Sequence, residues 1–503
     1  MSGTTFDLVQ SLQGSQVVQI TIANKSGEQV TPNASVSSLS QLGLPSDANG
    51  ATAYRIADMM ERFGFNLYPM DARGGNAFGA ASTCNYTTDG IIHALNWLTA
   101  DAAGNPGGSG LTTLNRLWTW QAANPPNLDL PGLAATIAQG TGCKFTMTTG
   151  GAPNATDSIP WAAQAAIDSM NGVAPWTGAA KGSVIYVEGY NEPNNIGGET
   201  GGQTARGQAE LYATLSPHAS KIGVVGPSEV FGMPFPEGYI NGSLGATDVA
   251  TVSASSTLYN VHCYPPYNPD LDDGSGRGGM FNDIFQGINA AYGTPKPQII
   301  TEWHPTLYAS ETTHKCDPAL DAYLAPMFIL SAFRLGYLGY VWWSLLDFND
   351  TAAANGGFAG SGLWQHDPSV DAPRPVAYAL RAMYALTGDS GAAKRTFTPS
   401  KLDYTLTGLP APKASAPNTG GQSMLFQASS GTFYLFVWNS QAAPGGTAVP
   451  VTLTFNSHAM SSVKEYNISN GEASNLRPIQ STTNVGSVTM MLDASVHLFV
   501  IHY

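Results

Sequence analysis

Residues 183–193 read SVIYVEGYNEP. The first half is β-branched, aromatic and apolar, which is strand chemistry, and a run apolar on both faces suits a strand covered by helices on either side. The second half ends on Asn191-Glu192-Pro193, where a carboxylate at the tip of a buried strand costs several kcal/mol unless something pairs with it or uses it. The fold turns on whether the flanking sequence repeats this strand in a regular rhythm.

It does, in both directions. Upstream, ATAYRIADMMERFG (51–64) has a helical period and leads into FNLYPMD (65–71), and TDGIIHALNWLTAD leads into TTLNRLWTW (112–120). LPGLAATIAQGTG leads into KFTMTTG (144–150), and IPWAAQAAIDSM into the quoted stretch. Downstream come ARGQAELYATLSPHA with IGVVGPS (222–228), a long loop region, and TLYNVHCYP (257–265). MFNDIFQGINAAYG with PQIITEW (297–303), LDAYLAPMFILSAFRLG with GYVWWSLLDF (339–348) and a closing RPVAYALRAMYALTG complete the series. Eight strands alternating with eight helices predict a (β/α)8 TIM barrel over residues 51–391. Beyond 392 the helical period disappears, and TFYLFVWN, VPVTLTFN and VHLFVIHY alternate with Gly, Pro and Asn turns. That pattern predicts a C-terminal antiparallel β-sandwich domain over 392–503, with residues 1–50 supplying a strand-like segment able to join it.

Only 11% of the 503 residues are charged, against about a quarter in a typical globular chain, and 56 Gly and 33 Pro imply many shaped loops. The net charge of −14 argues against nucleic acid or an anionic membrane as partner and leaves a neutral one, such as a sugar chain. No apolar run is long enough for a membrane span. MSGTTFDLVQSL has neither the basic start nor the apolar core of a signal peptide, yet the low charge and the Asn85-Tyr86-Thr87 sequon suit a secreted or periplasmic protein whose leader is missing here. Cys84, Cys143, Cys263 and Cys316 form no CxxC pair, and a Cys263–Cys316 disulfide is the expected pairing if one forms.

In a (β/α)8 barrel the reactive groups sit at the C-terminal ends of the strands. Glu192 ends the fourth strand and Glu302 the seventh, so both should face one mouth. Two carboxylates in one cleft suit glycosidic bond cleavage, one protonating the leaving oxygen and the other attacking the sugar carbon.

With these residues in place the chain resembles the clan-A retaining glycoside hydrolases. VEGYNEPN is most similar to the E-x-x-N-E-P-N signature of glycoside hydrolase family 39, the β-xylosidase and α-L-iduronidase group, and ITEW and VWWSLLD are similar to its seventh and eighth strands. The resemblance implies Glu192 as general acid/base and Glu302 as nucleophile, with Asn191 on the sugar 2-hydroxyl and Tyr264 donating to Glu302. It implies that Arg116 keeps Glu302 ionised, that Trp343 rather than Trp342 floors the sugar site, and that no cofactor or metal is needed. His262 shares the inward face with Tyr264 by strand period, and Trp303, like Trp118, Trp120 and Trp364, is an aromatic able to stack on a sugar. Glu188, inside the strand, reads as a buried, paired acid. The loop PDLDDGSGRGG (269–279) lacks EF-hand spacing and reads as a solvated loop. The alternative class is a non-catalytic carbohydrate-binding barrel protein, which would keep the aromatics and lose one acid.

Overall fold

The computed structural model describes residues 22–23, 29–30, 53–55, 63–67, 88–118, 130–149, 155–193, 200–231, 246–264, 287–305, 316–335, 337–346, 360–364, 373–389, 402–410, 423–439, 442, 445–470 and 473–503. β1 (Ile22–Ala23) and β2 (Gln29–Val30) form a short antiparallel ladder, and β3 (Ala53–Arg55) follows.

The barrel strands are β4 (Phe63–Leu67), β5 (Leu114–Trp118), β6 (Lys144–Thr149), β7 (Val184–Tyr190), β8 (Gly223–Val225), β9 (Glu229–Phe231), β10 (Tyr259–Cys263), β11 (Gln298–Trp303) and β12 (Tyr340–Trp342). They pair in parallel in the order β8-β7-β6-β5-β4-β12-β11-β10-β9. β8 and β9 are two halves of one interrupted fifth strand. Pro227 between them has no N–H for a ladder, so the first half pairs with β7 and the second with β10. Single bridges, Asn191 to Ser228 and Val225 to Leu258, bring the sheet nearly to closure across the interruption. Outside lie α1 (Thr88–Leu98), α2 (Leu130–Thr141), α3 (Ala155–Asn171), α4 (Gly201–Leu215), α5 (Ala246–Ala254), α6 (287–292), α7 (Pro318–Leu335) and α8 (Pro375–Thr387). α5 occupies what the sequence suggested was a long loop; its small and β-branched residues, ATDVATVSA, give a weak helical pattern. Conversely the helix expected over 51–64 is contradicted at both ends, where residues 53–55 are β3 and Phe63 and Gly64 already belong to β4.

Strand alternation sorts the barrel residues. Phe63, Phe65, Phe145, Met147, Val187, Val261, Ile300, Tyr340 and Trp342 face the helices in the main core. Leu114, Val225, Leu258, Ile299 and Val341 fill the barrel interior as an apolar floor. Above that floor the interior becomes polar, which is where the site lies.

The second domain comprises β13 (Tyr404–Thr407), β14 (Ser423–Gln427), β15 (Phe433–Val437), β16 (Val449–Phe455), β17 (Met460–Asn467), β18 (Gln480–Val485), β19 (Ser487–Leu492) and β20 (His497–His502). A sheet β13-β16-β19 packs on a sheet β18-β17-β20-β15-β14-β3 around Leu435, Val451, Leu453, Val488 and Phe499. β3 pairs in parallel with β14, so residues from before the barrel complete the sandwich. The outer face of the larger sheet is buried too: Met424, Phe426, Phe436 and Leu498 belong to the barrel's core cluster, with Phe426 6.0 Å from Phe333 of α7. Phe433, Tyr434, Phe436 and Trp438 are all buried in packing roles.

Cys263 is a free thiol buried on the helix-facing side of β10, so the expected bridge to Cys316 is not formed. The strand period that turns His262 inward turns Cys263 outward, away from the rim. Cys84, the Asn85 sequon and the 269–279 loop lie outside the described residues. No helix among the described residues is long and apolar enough to cross a membrane.

Candidate active site

Two irregularities bring the reactive side chains into the mouth. In β11 the register shifts relative to β10 between Val261 and His262, so His262 pairs with Glu302 rather than with Thr301. This extra residue, a β-bulge, re-aims a side chain next to the site. Thr301 and Glu302 therefore both face inward, and Trp303 turns out. At the end of β7 a similar shift lies between Thr148 and Thr149 of β6 opposite Glu188 and Tyr190. Glu192 itself has φ +45°, the left-handed region that non-glycine residues avoid. Such strained backbone persists only where its surroundings over-determine it, and it clusters at functional sites. Here the Asn191 N–H bonds Thr149 O (3.1 Å) and the Glu192 N–H bonds Ser228 O (2.8 Å), holding the turn from both sides.

α4 braces the same turn. Thr200 and Gln203 form a reciprocal capping box at its start. Its Gly207 lies against the Tyr190 ring, where a Cβ would meet ring atoms at 2.6 Å, and a Cβ at Gly189 would meet Gln208 Oε1 at 2.2 Å. Gly189 and Tyr190 are thus the fitted contact between β7 and its helix.

Arg116, fully buried on β5, organises the polar layer. Its Nε donates to both oxygens of Glu188 (3.1 and 2.8 Å), Nη2 to Asn191 Oδ1 (2.9 Å) and Ser228 Oγ (3.1 Å), and Nη1 to Glu302 Oε1. Tyr264 donates its hydroxyl to Glu302 Oε2. His262 Nδ1 lies 2.7 Å from Glu192 Oε1 and 3.4 Å from Glu302 Oε2, so it spans the two carboxyls. One oxygen of Glu192, one of Glu302 and a His262 nitrogen all lie within 4.8 Å of one another. Glu192 and Glu302 are buried, at 5% and 3% exposure.

Burial drives the titration of this group. It pushes the Glu302 carboxyl up, and the Glu192 charge adds to that, against the pull of His262, Arg116 and the Tyr264 hydroxyl. The Arg116 contribution that the resemblance implied is present, but burial outweighs it in the unliganded site. Burial lowers His262 to about 4, so its imidazole is neutral near neutral pH and its Nδ1, 2.7 Å from Glu192 Oε1, shares a hydrogen bond with that carboxyl. Glu188 is held below its ordinary value: burial opposes its charge, but Arg116 and the Thr146 hydroxyl more than offset this.

Glu192, Glu302, Asn191, Tyr264, His262 and Arg116 are therefore brought together. Trp343 follows inward-facing Val341 by strand period and is buried at the end of β12, its N–H bonded to Trp303 O (2.8 Å). Trp303 is not in the mouth. It lies between barrel and helices, 4.1 Å from the Tyr340 ring and 5.4 Å from Phe328, because the bulge that turns Glu302 in turns it out. Trp364 likewise packs edge-on to Trp97, and the side chains of Trp118 and Trp120 lie outside the described residues. Sequence reading missed Thr146, Ser228, Asn260 and Thr301, the neutral donors around Glu188. Asn260 was findable, since it sits two before His262 and four before Tyr264. The glutamate–histidine trio is the grouping among the described residues able to hold a cation, but the Arg116 charge already on Glu302 opposes one.

No known sequence family matches the chain, and no curated protein is similar to it in sequence. In structure it is similar to a glucosidase from Croceicoccus marinus (12% identity over 90% of this chain and 98% of that one, TM-score 0.49). It is also similar to a family-30 endoxylanase from Clostridium papyrosolvens (14%, 88% and 97%, 0.48) and a family-44 xyloglucanase from Paenibacillus polymyxa (11%, 81% and 96%, 0.45). These likenesses are of overall architecture.

Proposed function

We propose that this chain is a glycoside hydrolase that cleaves an oligo- or polysaccharide with retention of anomeric configuration. The observation that carries the reading is the facing pair of buried carboxyls at the ends of β7 and β11, close enough to share His262. In the first step Glu302 attacks the anomeric carbon while Glu192 gives its proton to the departing glycosidic oxygen. The result is a glycosyl ester on Glu302 and an ionised Glu192. In the second step Glu192 takes a proton from water, the hydroxide displaces the ester, and both groups return to their starting states. The short separation of the acids suits direct attack rather than the wider spacing that accommodates a water between them.

The surroundings fit these roles. Tyr264 and Arg116 each hold one oxygen of Glu302, which fixes its rotamer for attack. Arg116 also takes Asn191 Oδ1, leaving the amide nitrogen to donate to a sugar hydroxyl. His262 holds one oxygen of Glu192 and leaves the other for the proton. The likeness of VEGYNEPN to the family-39 signature makes xylosides and uronic-acid-containing chains reasonable first substrates to try. A panel of aryl glycosides and polysaccharides, with NMR of the first-formed anomer, tests the reading: an inverted product refutes retention. Sugar binding without turnover across the panel would favour the non-catalytic alternative.

A further inference from the structure

Below the two reacting acids lies a third, Glu188, which the double displacement does not use. It is fully buried on β7, one layer deeper in the barrel. Its carboxylate accepts from Arg116 Nε, Thr146 Oγ1 (2.7 Å), Ser228 Oγ (3.0 Å), Asn260 Nδ2 (3.0 Å) and Thr301 Oγ1 (3.1 Å). Those donors come from β5, β6, the break between β8 and β9, β10 and β11, so most of the barrel contributes to one carboxylate. Arg116 is the cation it shares with Glu302: Nε and Nη2 lie on Glu188, and Nη1 is on Glu302.

We propose that Glu188 is a positioning residue for the hydrolysis, taking up part of the Arg116 charge and so setting how tightly the nucleophile Glu302 is ion-paired. The inference rests on the glycosidase reading above. A guanidinium facing Glu302 alone would clamp it in a tight pair, and a more stabilised carboxylate is a poorer nucleophile. With Glu188 sharing the charge, Arg116 still orients Glu302 while binding it less strongly. The neutral donors complete the balance, because each hydrogen bond to Glu188 reduces what that carboxylate demands of Arg116. The charged or titratable groups facing this pair are Arg116 on β5, Glu192 after β7, and His262 and Tyr264 on and after β10; Thr146, Ser228, Asn260 and Thr301 are neutral.

The sign of the effect separates this role from a merely structural one. Glu188→Gln removes the shared negative charge, so Arg116 bears on Glu302 alone. The titration of Glu302 and the acid limb of kcat/KM should move to lower pH, with kcat falling about 10-fold or more and KM little changed. Glu188→Asp keeps the charge and should leave the acid limb at its wild-type position. Thr146→Val removes one neutral donor, so Glu188 draws Arg116 harder and the acid limb should move the opposite way, to higher pH. This near-isosteric change gives the reading even if Glu188→Gln fails to fold. Carbon-13 NMR of the Glu302 carboxyl, assigned with Glu302→Gln, follows the same shifts without substrate, so absence of hydrolysis and failure of this inference are distinct results. An unmoved Glu302 titration in folded Glu188→Gln, or in Thr146→Val, overturns the proposal.

Discussion

Among the described residues are two buried glutamate–histidine pairs of nearly identical geometry. In the barrel mouth His262 Nδ1 is 2.7 Å from Glu192 Oε1, and in the sandwich His497 Nδ1 is 2.7 Å from Glu465 Oε1. All four residues are at most 5% exposed. Only their surroundings differ. The sandwich pair joins two neighbouring antiparallel strands, β17 and β20, on regular backbone. The barrel pair sits where a left-handed turn and a bulge converge, with a second carboxylate 3.4 Å from the same nitrogen and Arg116 behind it. The contact itself is thus common to both domains, and what sets the barrel pair apart is a second acid, a cation and strand ends, the additions on which the proposed glycosidase reading rests.

Mutation of each pair should break the comparison cleanly. Glu302→Ala should lower kcat by at least about 10⁴-fold, and Glu192→Ala by about 10²–10⁴-fold on poor leaving groups, with melting temperature and circular dichroism near wild type. Glu465→Leu and His497→Leu should do the reverse: each removes a buried hydrogen bond and should cost about 1–3 kcal/mol of stability in denaturant titrations, with kcat per folded molecule unchanged. A sandwich mutant that lost activity while remaining folded would erase the distinction.

Tyr264→Phe sharpens it further. The hydroxyl lowers the Glu302 pKa, so its loss should raise a value that burial already holds high. The nucleophile must be ionised, so the acid limb of kcat/KM should move to higher pH and the rate at acid pH should fall. A pH–rate profile with an unchanged acid limb would mean that Tyr264 does not act on Glu302.

A smaller effect concerns Glu229 on β9, which is buried with a single hydrogen bond, from the Tyr292 hydroxyl at 2.8 Å, and is pushed by burial from 4.5 to about 8. Below pH 4.5 both folded and unfolded chains hold this proton. Above it the unfolded chain ionises freely while the folded one resists, so stability falls as pH rises toward about 8. Glu229→Gln should therefore match wild type near pH 4 and melt at a higher temperature by pH 8. Equal melting temperatures at pH 8 would show that the carboxyl is solvated or paired in solution.

The strand order, the facing of Glu192 and Glu302, and the inward alternation of His262 and Tyr264 were legible because period-2 patterning and strand-end position are local properties. Trp303 was misassigned for a nonlocal reason. Alternation alone cannot say where a bulge will insert a residue, and the bulge at Thr301–Glu302 exchanges the faces of everything after it. The helix expected over 51–64 failed similarly, since the period of ATAYRIADMMERF is helical but pairing of Ala53–Arg55 with β14 overrides propensity there. Of the donors around Glu188, Asn260 shares the inward spacing of His262 and Tyr264, but the hydroxyls of Thr146, Ser228 and Thr301 were invisible because these are ordinary strand residues until the barrel brings them together.

The pairing of β3 with β14 also bears on how the chain matures. During synthesis β3 leaves the ribosome before any barrel strand, yet its partner is made only after all of them. The larger sandwich sheet, whose outer face is buried against the barrel cluster, therefore cannot be completed until β14 and the strands after it have been made. Until then both the β3 edge and the apolar sheet-facing surface of α7 stand open, and a nascent or truncated chain lacking the last strands should be the species that chaperones hold and that aggregates.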